Sequence, residues 1–543
     1  MIRKIILPAV AALITVNAFA QEPKKNQSID INSSYQPVLR NAVKINIEGT
    51  QLPADTSRPV KPYNIPAQNL FYSYAPISLK PLALAQDSNL YLGNRKFLKL
   101  GFGNYSTPYV SGGISLGDGK KSLLNITGDY IQSKGAIVNQ DYSQLNTKAA
   151  GSAFFPKSEL YGGLEVNAHT YYLYGYDHSL YTYKKDSIRQ QFQNISFRAG
   201  FKNTAPTRTG INYDPNIEVS LFTNKDKVNE TDALIIVPVE KYINPKFSAK
   251  AELKADITSY STRNMMPANI SISNNIVQIT PSVNYHDDFL KIHAGITPAW
   301  DNKNYVLLPD IYGEVPVKDK NFSVQFGWTG SLIKNSFKNL AAQNPYLLPI
   351  IAQQNTKQTE YYGGIKASIA KHFNFSAKAG LVQYKNLPFF INDTTTDNKS
   401  FLISNEKSVN DLRLHADISY INQDKFSFTG GITFNGYTGM KSNARAWHTL
   451  PVEVRGSLRW WAFKTVLIKS DLYIFDGSNY LAKGNTARPL NGGMDLSAGV
   501  EIKINKMFSV WGDANNLLND QYERWHNYKV YGANFLGGIL LNF

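Results

Sequence analysis

From Arg95 to Phe543 the chain repeats one pattern: ten to fifteen residues of strictly alternating apolar and polar side chains, then a break. Phe247, Ala249, Ala251, Leu253, Ala255 and Ile257 interleave with Ser248, Lys250, Glu252, Lys254, Asp256 and Thr258. The stretches from Asp411 to Tyr420, Val452 to Trp461 and Asp495 to Ile504 alternate in the same way. A period of two places one set on each face of an extended backbone, so these stretches are β-strands with one apolar and one polar face. Strands in soluble proteins average about five or six residues. A strand crossing a bilayer at a tilt needs about nine to eleven.

The breaks decide between a water-soluble sandwich and a membrane barrel. Short ones, such as Gly117–Lys121, Pro156–Lys157, Asn244–Pro245, His286–Asp288, Gln423–Lys425 and Asn505–Met507, take turns with long ones. The long ones fall at 134–143, 176–188, 261–273, 333–356, 386–408, 476–493 and 519–530. Tight turns at one end and long loops at the other are the asymmetry of a bacterial outer-membrane barrel. The predicted fold is therefore all-β: a single large antiparallel transmembrane barrel of about 22 strands, with both ends of the barrel on the short-turn side. Two strands are the least regular. Asp232–Tyr242 reads as a strand only through Leu234 to Val239, and Tyr305–Val317 contains Pro309 and Pro316. Proline normally demotes a strand, so the expected range is 20–22.

The start of the chain places it outside the cytoplasm. Arg3 and Lys4 precede an apolar run from Ile5 to Val16, and Ala18-Phe19-Ala20 offers a small-x-small cleavage site, so residues 1–20 read as a secretory signal peptide. Residues 21–94 carry Pro23, Pro37, Pro53, Pro59, Pro62, Pro66, Pro76 and Pro81 and lack periodicity, which makes them an extended, irregular segment. The aromatic side chains of Tyr35, Tyr63, Phe71, Tyr72 and Tyr74 give that segment anchors to pack against a neighbour. Residues 95–543 form the barrel. The absence of cysteine removes disulfides, thiolate metal sites and thiol nucleophiles. A mean hydropathy of −0.30 excludes a multi-helix membrane protein.

The C-terminus carries the most specific signal. Phe543, Leu541, Ile539 and Phe535 lie on one face of the last strand, and a terminal aromatic with apolar residues at alternate positions resembles the signal read by the barrel assembly machinery. The segment Asp513-Ala-Asn-Asn-Leu-Leu-Asn-Asp-Gln-Tyr522-Glu-Arg-Trp525-His-Asn-Tyr528, followed by Gly532-Ala-Asn-Phe535, resembles the last hairpin of TonB-dependent receptors of the Bacteroidota type. The resemblance implies an outer-membrane receptor barrel and solute uptake. The family places a folded plug between signal peptide and barrel, whereas here only the 74 residues 21–94 are available. They are expected to act as a reduced plug in the lumen or as a periplasmic arm. No box for the energy-transducing partner stands there, so energised transport is the weaker implication.

Catalytic chemistry is not expected. No nucleophile elbow, phosphate loop or zincin helix occurs, and the eight histidines are scattered without metal-ligand spacing, so neither an enzyme nor a cofactor is predicted. Charge on a lipid-facing strand costs about 2–4 kcal/mol at the midplane. Lys250, Glu252, Lys254, Asp256, Arg413, Asp417, Arg455, Arg459, Lys469 and Asp471 are therefore expected to line the lumen, either as a polar conduit or as ion pairs across strands. Tyr437, Trp447, Trp460, Trp461, Phe463 and Trp525 are expected in interfacial aromatic girdles. The net charge of +16 favours anionic partners such as lipopolysaccharide, and no nucleic-acid motif is present. Two functions remain: uptake of a small solute across the bacterial outer membrane, or an occluded scaffold barrel that binds partner proteins.

Overall fold

The computed structural model describes residues 96–543, apart from 227, 264–268, 318–320, 370–371 and 423–424. The expected signal peptide and proline-rich segment lie outside the described residues. The strands form one continuous antiparallel sheet from Lys96–Gly103 to Asn534–Asn542. Ile211–Tyr213 and Asn216–Asn224 are two pieces of one strand broken at Asp214-Pro215, since both pair with Val228–Tyr242; the barrel therefore has 22 strands. It closes where the first strand pairs with the last, from Phe97 opposite Asn542 to Gly103 opposite Leu536. Among the described residues no helix is long and apolar enough to cross a membrane, which does not bear on a barrel.

Closure depends on glycine at the seam. A Cβ on Gly538 would collide with the carbonyl oxygen of Leu100, and one on Gly101 would collide with the indole of Trp511. That indole lies across the junction and donates to Ile539 O at 3.2 Å. Lys99 covers its face at 4.1 Å. The last two strands and the first are thus joined by one bulky side chain resting on backbone that has no side chain of its own.

Both irregular strands form in full. Val228–Tyr242 and Asn304–Val317 are continuous. Their prolines stand where the strand is hydrogen-bonded on one side only. Pro309 precedes the start of pairing with Phe322–Ile333 at Asp310, and Pro316 follows the end of pairing with Lys291–Asp301 at Glu314. A missing N–H there breaks no ladder.

Connection lengths alternate as expected, with exceptions. One end holds turns such as Asp118–Lys121, Pro156–Lys157 and Lys464–Thr465. Its longest connection is 204–210. The other end carries 173–188, 334–355, 386–408, 477–492 and 516–533, together with 439–451, which the alternation pattern alone does not reveal. That end also has tight turns, those at 104–106 and 302–303 among them.

Candidate functional site: a polar face closed over by the long loops

The ten charged residues predicted for the lumen all fall on the face opposite the exposed apolar band, which includes Leu253, Ile257, Leu412, Leu414 and Trp460. Most are paired with near neighbours on the same sheet. Lys250 meets Glu252 at 2.9 Å. Arg459 grips Asp471 through two bonds of 3.1 and 3.0 Å. Arg455 meets Glu453 at 3.0 Å, and Tyr473 donates to the same carboxylate at 2.6 Å. Lys469 lies 3.9 Å from Glu501, His415 sits 2.6 Å from Asp417, and Arg413 reaches Asp411 at 3.2 Å and Asn435 at 3.2 Å. Arg413 also donates to the Tyr384 hydroxyl. Of the ten, Lys254 alone has no side-chain hydrogen bond or ion pair among the described residues. The face is a lattice of mixed-sign pairs, and no field of one sign runs along it.

Asp256 is the exception that leads to the loops. Its partner is Lys334, at 2.8 Å, from the loop 334–355. That loop folds back across the polar face of strands far earlier in the chain. Its short helix Phe337–Gln343 starts at Ser336, whose side chain accepts from Asn339 N. The buried carboxylate of Glu230 accepts from Phe337 N at 2.8 Å and Lys338 N at 3.1 Å. Lys338 in turn donates to Ser220 at 2.6 Å. Phe337 packs edge-on against Phe222 and Tyr260, each with ring centroids 5.9 Å away. Asn355 ties the far end of the loop to Asn274 and Asp301 at 2.6 and 2.7 Å.

The other long loops meet this one in an aromatic cap. Tyr346 stacks on Tyr528 with centroids 3.4 Å apart, and Tyr174 meets Tyr528 edge-on at 4.8 Å. Phe390 and Phe401 pack against Trp525 at 5.1 and 5.5 Å. Polar bonds hold the same junctions. Tyr174 donates to Lys529 O at 2.8 Å, Tyr531 to Gln140 O at 2.7 Å, and Tyr528 to Lys399 O. One apolar cluster therefore unites the loops 173–188, 334–355, 386–408 and 516–533 with the strand ends beneath them. Of the six aromatics expected in girdles, only Trp460 and Phe463 are exposed on the outward face. Trp447 and Trp525 are buried among the loops, and Tyr437 and Trp461 sit on the polar face. Their place near strand ends in sequence is the same in either role; for Trp525 what separates the roles is contact with Phe390 and Phe401, more than a hundred positions away.

Two ionisable groups of the cap are held by different causes, one by hydrogen bonds and one by burial. Burial alone would raise the carboxyl of Glu406, but backbone N–H groups of Lys441, Ser408 and Ser442 and the Asn443 amide outweigh it and hold the group below its ordinary range. His448 is buried against Trp525 and Phe401 and is pushed down to about 3 by burial, so its ring is neutral. Its Nδ1 bonds Phe390 O at 2.8 Å. Among the described residues no three His, Asp or Glu side chains group as a metal site.

The segment that resembles a receptor hairpin has a clear physical basis. Asn516, Asn519 and Asn527 all adopt positive φ, near 48°, 52° and 69°, a region that asparagine tolerates better than other residues bearing a Cβ. Asn516 is buried and donates to Asp520 O and Tyr531 O at 2.9 and 2.7 Å. Asn519 Oδ1 accepts from Ala533 N at 2.9 Å, across the space that a side chain at Gly532 would fill. The motif thus folds loop 516–533 on itself and presents Trp525 and Tyr528 to the cap.

No protein-family model matches the chain, and no curated protein matches it in sequence. Solved structures do match in fold. The FrpB iron transporter of Neisseria meningitidis superposes with a TM-score of 0.65 at 8% identity, covering 86% of this chain and 83% of that one. The pyoverdine outer membrane receptor FpvA of Pseudomonas aeruginosa gives 0.62 at 10% identity, with 82% and 78% covered. The ferric-catecholate import receptor Fiu of E. coli K12 gives 0.61 at 9% identity, with 83% and 82% covered. At such identities the likeness is one of barrel architecture.

Proposed function

We propose that this chain is an outer-membrane receptor barrel that takes up a solute from the side of its long loops, and that it acts without catalysing a reaction. The observation that carries this reading is the closed 22-strand barrel whose long loops gather at one end, together with its likeness in fold to an iron transporter, a pyoverdine receptor and a ferric-catecholate import receptor. The paired polar face forms the lumen wall, with Lys254 available to a passing solute. The outward Phe535, Ile539, Leu541 and Phe543 serve the barrel assembly machinery. Residues 21–94 supply what plug there is. A metal chelate of the kind named for the neighbours is the first solute to test.

Planar-bilayer conductance and binding of ferric chelates to the purified full chain test the proposal. Wild type is expected to bind a chelate and conduct little, and removal of loop 334–355 is expected to raise conductance. A barrel that neither binds nor conducts after loop removal, yet co-purifies with a stoichiometric protein, is a scaffold instead.

A further inference from the structure

The short-turn end of the barrel repeats a second pattern that uptake does not use. Lys120, Lys157, Lys246, Lys425, Lys464 and Lys506 come from six different turns and all are exposed. Only Lys246 has an ion pair among the described residues, a long one of 3.8 Å to Asp287. Among the described residues the acidic side chains in the turns at this end are fewer, and two of them hold turns. Asp118 accepts from the backbone N–H of Lys120, Lys121 and Ser122, and Asp287 from those of Phe289 and Leu290. Among the described residues, positive charge therefore projects from this rim in excess of negative.

Beside the lysines stand large apolar side chains that nothing covers. Phe155, Ile243, Phe289, Phe463, Ile504 and Met507 are 53–79% exposed. The pairing is local: Phe155 is two residues before Lys157, Ile243 three before Lys246, Phe463 one before Lys464, and Ile504 and Met507 bracket Lys506. Phe155, Ile243 and Ile504 continue the outward registers of their strands. A register shift between Trp461 and Phe463 turns Phe463 back to the outward side, opposite Val466. A long cationic side chain next to an outward apolar one suits the boundary between hydrocarbon and headgroups, where the ammonium can reach a phosphate while the neighbour stays in lipid.

We propose that this rim is a binding belt for anionic phospholipid in the leaflet that faces the short turns. The proposal rests on the outer-membrane placement given above and adds a lipid class and an end of the barrel. Charge complementarity selects an anion. The exposed Phe, Ile and Met side chains select a lipid over an anionic polymer, because a polar polymer would leave them in water.

Native mass spectrometry of the full chain, released from detergent after incubation with phosphatidylglycerol or with phosphatidylcholine of the same acyl chains, tests this. Phosphatidylglycerol should be retained preferentially. Each surface lysine near an anionic membrane is worth about fivefold in affinity, so the fourfold variant K157Q/K246Q/K464Q/K506Q should lose most of that preference. The matching Lys→Arg variant should keep it, which separates loss of charge from failure to fold. Equal retention of both lipids by wild type, or a preference untouched by the four Gln substitutions, overturns the proposal. So does lysine-dependent sedimentation with purified peptidoglycan in the absence of any lipid preference. Chelate binding in the Gln variant is expected to be unchanged, so a failed lipid test leaves the uptake reading standing.

Discussion

Glu406 tests whether directed hydrogen bonds or apolar packing alone hold the loop cap together. Its carboxylate is buried at the end of the hairpin strand Phe401–Glu406 and faces the loop 439–451. It accepts from Lys441 N at 2.7 Å, Ser442 N at 3.0 Å, Asn443 N at 2.8 Å and Ser408 N at 3.2 Å. Glu406→Ala leaves the three backbone N–H groups of loop 439–451 and the Asn443 side-chain amide, which donates at 3.2 Å, without their acceptor; at about 1 kcal/mol each, the loop loses about 4 kcal/mol of docking. Glu406→Gln keeps the shape but turns charge-assisted bonds into neutral ones of about half the strength, a loss of about 2 kcal/mol. That raises the open population of the loop about 30-fold. Hydrogen exchange at the amides of Lys441, Ser442 and Asn443, normalised to intrinsic rates, reads this directly. Because the folded-state carboxyl is depressed, its contribution is complete above the ordinary glutamate pKa and is lost as pH falls through the folded value. Wild-type protection at these amides should therefore drop on acidification below about pH 4, and Glu406→Gln should lack that step. Protection in both variants equal to wild type would refute the argument and leave packing as the sole support.

Three further outcomes follow from other parts of the barrel. Tyr528→Ala removes the ring between Tyr346 and Tyr174, a loss of about 3–5 kcal/mol of packing, and should raise planar-bilayer conductance while the strand signal in circular dichroism is unchanged. Gly538→Ala drives a Cβ into Leu100 O at the seam and should sharply lower the yield of the compact, heat-modifiable barrel on gel electrophoresis. Phe543→Ser removes an exposed terminal ring that packs in no core; it should slow appearance in the outer-membrane fraction in cells but leave refolding into detergent unchanged.

The strands were legible because a two-sided environment prints a two-residue period. Lys250 to Asp256 and Arg455 to Arg459 fall on the face that the alternation assigned them. The tolerance of Pro309 and Pro316 was hidden, since it depends on where neighbouring strands stop, and those neighbours lie elsewhere in the sequence. The cap was hidden for the same reason. Nothing near Trp525 announces Phe390, and nothing near Lys334 announces Asp256; loop residues carry no period, and their contacts are made in three dimensions only. The asparagines at 516 and 519 were visible as a motif, but their positive φ explains why the motif exists.

The seam sets an order of events in time. Phe97 pairs with Asn542, so the first strand, whose inner edge pairs with Thr107–Gly117, has an unpaired outer edge until nearly the last residue has been made. Until then the sheet has a free edge at Lys96–Gly103, with open backbone donors and acceptors ready to pair with any other strand. The contact that ends this exposure spans almost the whole barrel, and long-range pairing is slow. Trp511 then acts as a latch: only after the last strand has passed alongside Gly101 can the indole come to rest across both chain ends. A chain shortened by four residues at its C-terminus would lose the rungs at Phe97, Leu98 and Lys99 and would have to close on the four that remain, from Leu100 to Gly103.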